Sequence, residues 1–300
     1  MQVLNLGTPK IVPNESIINI LDDEFIRKTL PERKADGNKG DFGKLLMVCG
    51  SYGMAGACIL SAKAALRSGV GLLYLLIDKR IYGIISSQVT EAVCIPVNME
   101  NQKELRNKIK EAMGYCTACV LGCGLGTLRE TLCKEVISQC RIPLLVDADG
   151  INFLSEHTEM IPLLPKETVI TPHPGEMSRL IKIDIPEIQN NRIKTAENAA
   201  RYIDNTVVLK GAGTVIADSG GKTSVNPTGN QGMAKGGSGD VLSGIIGALM
   251  AQGIRLFDAA CAGVYLHGAA GDLCRDKLSS RGMLPTDIIE ALPEIYKSYE

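Results

Sequence analysis

Short apolar runs that stop at a glycine or a polar turn recur along this chain, and they constrain its fold more than any other feature. Lys44–Cys49 ends at Gly50, Gly71–Ile77 follows the turn at Gly69, and Ala118–Leu121 ends at Gly122. Pro143–Val146, Thr168–Thr171 and Val207–Lys210 repeat the pattern. These runs are apolar almost throughout rather than alternating, which is how strands buried on both faces read. Helical stretches lie between them: Gly56–Ser68, with Ile59, Leu60, Ala64 and Leu66 for packing, and the charged Asn101–Met113. Strands alternating with helices predict an α/β fold in three layers, a mostly parallel central sheet with helices on both faces. Val207–Lys210 and Thr214–Ala217 predict a strand pair around Gly211 and Gly213. The last third turns helical, over Asp240–Ala251, Leu256–Asp276 and Pro285–Tyr299. No linker, low-complexity tract or repeat interrupts the pattern. Residues 24–300 therefore read as a single domain behind a loosely attached leader over residues 1–23.

Composition excludes several classes of function. With 45% hydrophobic and 22% charged residues, the chain is an ordinary globular sequence rather than a disordered one. Lys+Arg at 32 against Asp+Glu at 33 gives no global pull toward nucleic acid or an anionic membrane. Trp is absent and aromatics are 4%, which argues against stacking platforms for single-stranded nucleic acid. No secretory signal is visible at the start of the sequence. The longest apolar stretches, Val70–Ile77 and Val241–Met250, fall short of the roughly 18 residues of a membrane span. The ten cysteines are expected to be reduced thiols in a cytoplasmic protein. Cys116, Cys119 and Cys123 have a suggestive spacing, but no fourth ligand is paired with them, so they read as small core residues.

In an open parallel sheet, ligands bind outside the carboxyl ends of the strands, so the loops after the strands should carry function. Gly236-Gly237-Ser238-Gly239-Asp240 opens a predicted helix. Its glycines and the helix start form an anion hole for a phosphate, made of Gly236, Gly237, Ser238 and Gly239. Asp240 there either complements the helix dipole or accepts a proton from a hydroxyl attacking phosphorus. The glycines ahead of it and the upstream Asn226 and Asn230 favour chemistry. Lys210-Gly211-Ala212-Gly213-Thr214 is a second glycine-bearing turn; it is a plain hairpin or a phosphate contact through Lys210 and Thr214, and it is not a P-loop. Two prolines fix the backbone around His173 in Thr171–Glu176, which suggests a ligand-positioning histidine. Asp147 and Asp149 follow a buried strand and would either hold Mg2+ through water or cap a helix. Gly122–Gly126 reads as close backbone approach to a ligand rather than as a dinucleotide fingerprint. His267 sits among small residues and reads as a satisfied histidine in helix packing.

Taken together, these blocks resemble the ADP-dependent (S)-NAD(P)H-hydrate dehydratases, metabolite-repair enzymes with a ribokinase-like fold. The resemblance runs from about Leu30 to the C-terminus through Lys39–Asp41, Gly50–Ala57, Ala65–Gly69, Gly122–Gly126, Asp147–Asn152, Thr171–Glu176, Val208–Thr214, Asn230–Asp240 and Ala260–Ala270, in that order. It implies that Ala57, Gly124, His173 and Asp240 contact the hydrated dinucleotide, with Asp240 also the catalytic base. It implies that Lys210, Gly211, Ala212, Gly213, Thr214 and Gly239 bind the adenine nucleotide. Cys123 departs from the family, where proline is usual. Many members carry a fused epimerase domain; only about 30 residues precede the match, so an epimerase is expected as a separate protein.

The implied chemistry is phosphorylation of the ring hydroxyl of hydrated NADH or NADPH by ADP, less favourably ATP, with Mg2+, then loss of phosphate to restore the reduced ring. The metal's ligands are not assigned by the sequence. The alternatives are a small-molecule alcohol kinase of the same fold and a non-catalytic nucleotide sensor. The expected partners are small molecules, not nucleic acid or membrane. A homo-oligomer is also expected, with the small-residue helix around Ala260–Ala270 as a surface to pack against a neighbour.

Overall fold

A computed structural model describes residues 18–33 and 35–300. Its ten strands are β1 (Ile18–Ile20), β2 (Lys44–Val48), β3 (Leu72–Asp78), β4 (Val93–Val97), β5 (Ala118–Leu121), β6 (Leu144–Val146), β7 (Thr168–Ile170), β8 (Thr206–Leu209), β9 (Val215–Ala217) and β10 (Thr223–Val225). They form one sheet in the order β1-β10-β9-β8-β7-β6-β5-β2-β3-β4. From β4 to β8 every pairing is parallel. β9 and β10 run antiparallel to their predecessors, and β1 lies parallel to β10. Of the expected leader, residues 1–17 lie outside the described residues.

The strands are apolar throughout because the sheet is covered twice. Along β2, Leu45 and Met47 enter one core while Leu46 and Val48 enter the other. This follows from the two-residue period of a strand. The first face carries α1 (Asp23–Thr29), α2 (Ala55–Arg67), α3 (Tyr82–Gln88), α10 (Ser238–Ala251), α11 (Leu256–Leu278) and α12 (Pro285–Lys297). The second carries α4 (Gln102–Met113), α5 (Arg129–Gln139), α6 (Asp149–Glu156), α7 (Pro174–Ile181), α8 (Ile185–Asn190) and α9 (Arg192–Ile203). α4 is the charged surface helix expected, burying Leu105, Ile109, Ala112 and Met113 on one side. α10 is different. Every residue from Val241 to Ala251 is buried, so this helix is a core element.

Several expectations change. α10 begins at Ser238, so Asp240 lies within its first turn rather than at its start. The small-residue stretch Ala260–Ala270 of α11 packs into the chain's own core, not toward a neighbour. His267 is buried there, but its Nε2 finds no partner among the described residues, so it is not satisfied as expected. Cys116, Cys119 and Cys123 are buried free thiols, as core residues should be. Among the described residues, no helix is long and apolar enough to cross a membrane.

Candidate active site

The strand order reverses between β2 and β5, whose neighbours then run outward in opposite directions. Such a switch point opens a crevice at the carboxyl ends of the two strands. The Gly50 N–H donates to the Cys123 carbonyl at 2.8 Å, tying together the loops that follow β2 and β5. Ala57 and Gly124 meet there, since a Cβ built on Gly124 would stand 2.8 Å from that of Ala57. The strand ends of β6, β7 and β8 and the start of α10 continue the same rim.

Asp147, directly after β6, forms the floor. It is 1% exposed, and its carboxylate accepts three hydrogen bonds of 2.7 Å, from Lys210 Nζ, Thr171 Oγ1 and Ser243 Oγ. Burial alone would push its carboxyl up. The adjacent Lys210 ammonium and the two hydroxyls outweigh this and hold it below the usual range. Lys210 is likewise pulled down by burial and lifted further by Asp147 and Glu176, ending above its ordinary value. The pair is therefore ionised.

Asp240 has the opposite environment. Burial, reinforced by the charge of Asp147, pushes its carboxyl up to about 6. It lies in the first turn of α10, whose start has no side-chain cap. The Ser238 N–H donates to the Lys235 carbonyl at 3.2 Å, which leaves the N–H groups of Gly239 and Asp240 for a ligand. Gly237 adopts φ +98 at the N-cap, a conformation suited to glycine, and so turns the chain into the helix. The floor and this anion hole are close, since a Cβ on Gly239 would lie 3.4 Å from Lys210 Nζ.

His173 is the N-cap of α7. Its Nδ1 accepts from the N–H groups of Gly175 and Glu176 at 3.0 and 3.3 Å, and Glu176 Oε2 accepts from the His173 N–H at 2.8 Å. A reciprocal capping box, with Pro174 at the first helical position, thus holds the ring. Because Nδ1 accepts, Nε2 carries the proton. Burial and the nearby Lys210 keep the ring neutral by pulling its pKa down. Its side chain is half-exposed and can meet a ligand.

The Lys210–Thr214 turn splits in two. Lys210 points into the floor, whereas Gly211, Ala212 and Gly213 are exposed. Thr214 Oγ1 closes the turn by donating to the Gly211 carbonyl at 2.9 Å. Arg192 lies beneath it and donates to the Leu209 carbonyl at 2.8 Å and the Lys210 carbonyl at 3.2 Å. Sequence reasoning missed Arg192, Thr171 and Ser243 as site residues. Thr171 opens the Thr171–Glu176 loop singled out for His173, whereas neither Arg192 nor Ser243 stands in a block that flags it.

Asp147 neither caps α6 nor stands free for a metal. The helix start after it has no side-chain cap. Asp149 accepts the Gly126 N–H at 2.8 Å. Cys123, Asp147 and Asp240 do cluster, but a thiol and a carboxylate with its oxygens already engaged do not suit Mg2+. The residues therefore do not fit a dedicated Mg2+ cage.

The chain is similar to known proteins along most of its length. The sequence model of a family described as NAD(P)H-hydrate dehydratase matches residues 45–294. A bifunctional NAD(P)H-hydrate repair enzyme of Moorella thermoacetica is 37% identical over all of this chain, which spans 58% of that relative's length. An ADP-dependent (S)-NAD(P)H-hydrate dehydratase of Neisseria meningitidis is 37% identical, with 86% of each chain covered. The crystal structure of an ADP/ATP-dependent NAD(P)H-hydrate dehydratase of Bacillus subtilis, co-crystallized with ATP and Mg2+, superposes with a TM-score of 0.82 at 30% identity, covering 95% of this chain and 99% of that one. A ribokinase-like superfamily protein of Enterococcus faecalis superposes with a TM-score of 0.79 at 27% identity, covering 97% of this chain and 99% of that one, so the fold is ribokinase-like.

Proposed function

The chain belongs to the NAD(P)H-hydrate dehydratase family, and from that premise we propose that it converts (S)-hydrated NADH or NADPH back to the reduced dinucleotide, using ADP as phosphoryl donor. The observation that carries this reading is the place of Asp240, in the first turn of an uncapped helix at the switch-point crevice, where burial pushes its carboxyl up to about 6. The hydrate would lie along Ala57, Gly124 and His173 with its ring hydroxyl at Asp240. The nucleotide would lie along the exposed Gly211–Gly213 turn and the Gly236–Gly239 anion hole. Hydroxide is a poor leaving group from the ring. Asp240 takes the hydroxyl proton as that oxygen bonds to phosphorus, and the nucleotide leaves shortened by one phosphoryl group. Phosphate is a good leaving group: it departs with the C–O electron pair while the neighbouring ring carbon loses a proton to water, and the C–H pair becomes the double bond of the reduced ring. The Gly239 N–H and the Lys210 ammonium face the charge that develops on the transferred group.

Mg2+ enters with the nucleotide as a metal–nucleotide substrate, held by phosphates and water rather than by a protein cage. A cytoplasmic location and a separate epimerase supplying the (S) hydrate fit the reading, as does assembly into a homo-oligomer through a surface other than Ala260–Ala270.

The test supplies hydrated NADH with ADP or ATP and follows reduced-nicotinamide absorbance. ADP-dependent recovery of NADH is expected. A phosphorylated alcohol with no NADH would identify an alcohol kinase, and nucleotide binding without turnover a sensor.

A further inference from the structure

Asp147 takes no part in the steps above, yet it touches each part of the site floor. Its three oxygen and nitrogen donors come from three elements, Thr171 after β7, Lys210 after β8 and Ser243 in the second turn of α10, and the Cys123 thiol after β5 donates more weakly at 3.9 Å. The single Ser243 hydroxyl proton is shared, going chiefly to Asp147 at 2.7 Å with the Gly239 carbonyl 3.1 Å away as the weaker acceptor, so one hydroxyl links the floor to the first turn of α10. Asp240 follows Gly239 directly. The Asp147 backbone is fixed as well. Its N–H donates to the Leu121 carbonyl at 3.0 Å, and its carbonyl accepts from the Gly150 N–H at 2.9 Å. That carbonyl lies so close to Gly122 that a Cβ there would be 1.8 Å away. The next residue, Ala148, has φ 45 and ψ −112, outside the favoured regions for a residue with a side chain. Such strain persists only where the surroundings over-determine it, and it clusters at functional sites.

We propose that Asp147 is a positioning residue for Asp240: through Ser243 it fixes the first turn of α10, and through Lys210 it holds an ammonium beside Gly239, so that Asp240 meets a fixed set of charges. The inference rests on Asp240 acting as the base. The groups facing Asp240 are Asp147 after β6, Asp149 in α6, Lys210 after β8, and the thiols Cys123 after β5 and Cys49 after β2. The two aspartates favour its protonated form and Lys210 favours its ionised form. The thiols stay neutral: a hydrogen bond with Cys58 and burial push Cys49 up, burial pushes Cys123 up, and as a hydrogen-bond donor Cys123 also favours the ionised form of Asp240.

The experiment compares Asp147→Asn, Lys210→Met and Ser243→Ala by the acid limb of kcat against pH. It adds a carbon-13 carboxyl titration of the Asp240 signal, assigned by its loss in Asp240→Asn. Asp147→Asn keeps shape and removes the negative charge, so limb and signal should both move to lower pH, by roughly one unit. Lys210→Met should move both upward. Ser243→Ala keeps both charges and should leave the limb in place while kcat falls several-fold. A folded Asp147→Asn protein with an unmoved signal would overturn the proposal. If that variant does not fold, an unmoved signal in Lys210→Met overturns it instead. Wild-type protein that turns over no hydrate yet shows these shifts would break the proposed function and leave the charge coupling standing.

Discussion

Two aspartates at the same end of the sheet meet opposite surroundings. Asp147 in the floor has three short hydrogen bonds and an ammonium, and its carboxyl is held down. Asp240 at the mouth is partly buried beside Asp147 and is pushed up to about 6. Two titratable groups driven apart by their environments is the pattern of a divided acid–base site. The floor is satisfied before any ligand arrives, and it keeps its charge. The mouth is left with an uncapped helix start and a carboxylate whose charge is costly, so a ligand completes it. The difference teaches that rigidity and reactivity are separated within a few residues, with Ser243 as the link.

The largest effect should come from withholding the metal. Exhaustive chelation of divalent ions is expected to abolish turnover, since the transferred phosphoryl group loses its neutralising cation. Protein folding should not change, because the floor fits no resident ion. Full turnover after chelation, or unfolding on chelation, would break the contrast between a self-sufficient floor and a ligand-completed mouth.

Next, Asp240→Asn should lower kcat by about 10²–10⁴-fold, the range for general-base assistance. Nucleotide affinity should hold or tighten, because a charge that repels phosphate is gone. In the wild type, kcat should fall about tenfold per pH unit below about 6, as the base becomes protonated. Paired steady-state kinetics and calorimetry read both effects. Near-normal turnover in folded Asp240→Asn removes Asp240 as base, and equal collapse of nucleotide affinity makes it a structural residue.

His173→Ala probes the rim after β7, beside the Asp147 floor. Its half-exposed ring should serve the hydrate and not the nucleotide, so the hydrate's KM should rise about tenfold while ADP affinity stays nearly unchanged. Loss of ADP binding with hydrate binding intact would reverse the assignment. α7 should also fray somewhat, since its N-cap acceptor is lost. Circular dichroism separates that from the kinetic effect.

These contrasts also mark where sequence reasoning succeeds. The apolar runs read directly as buried strands, because a parallel sheet covered on both faces leaves no polar alternation. The glycine blocks were legible because backbone that approaches a ligand or turns with positive φ selects that residue, as at Gly237. What was not legible is the pairing. Asp147 reads equally as a metal ligand or a helix cap, because its partners are 24, 63 and 96 residues away in sequence. Thr171 and Ser243 are ordinary residues in ordinary places until the fold brings them to one carboxylate. Short helices such as α7 and α8 were hidden because so few turns give little periodicity to read. The edge strand β1 is three residues long and exposed throughout, and its two isoleucines lie within the stretch read as a leader, so it does not read as a strand.

The smallest effect is on stability, and its sign separates the two aspartates most directly. Asp240 has a folded pKa of about 6, above the unfolded value of about 3.9. Its native form therefore binds a proton more tightly than the unfolded chain does, and its ionised form opposes folding. That cost is fully present above about 6 and fades as pH falls toward the unfolded value. Asp147, held down, does the reverse: its stabilisation is present above the unfolded value and is lost as pH falls through its folded value. Asn at position 240 carries no charge at any pH. At pH 7.5, Asp240→Asn should then be more stable by about 1–2 kcal/mol, after discounting for partial exposure. For a chain of this length that is a rise in Tm of a few degrees. Near pH 4.5 the gain should shrink to about a third of that, and it vanishes only below the unfolded value, where both states are protonated. Thermal melts of both proteins at the two pH values read this difference. A lower Tm for the variant at pH 7.5 would mean that the Asp240 charge is welcomed by the fold, and the distinction between floor and mouth would collapse.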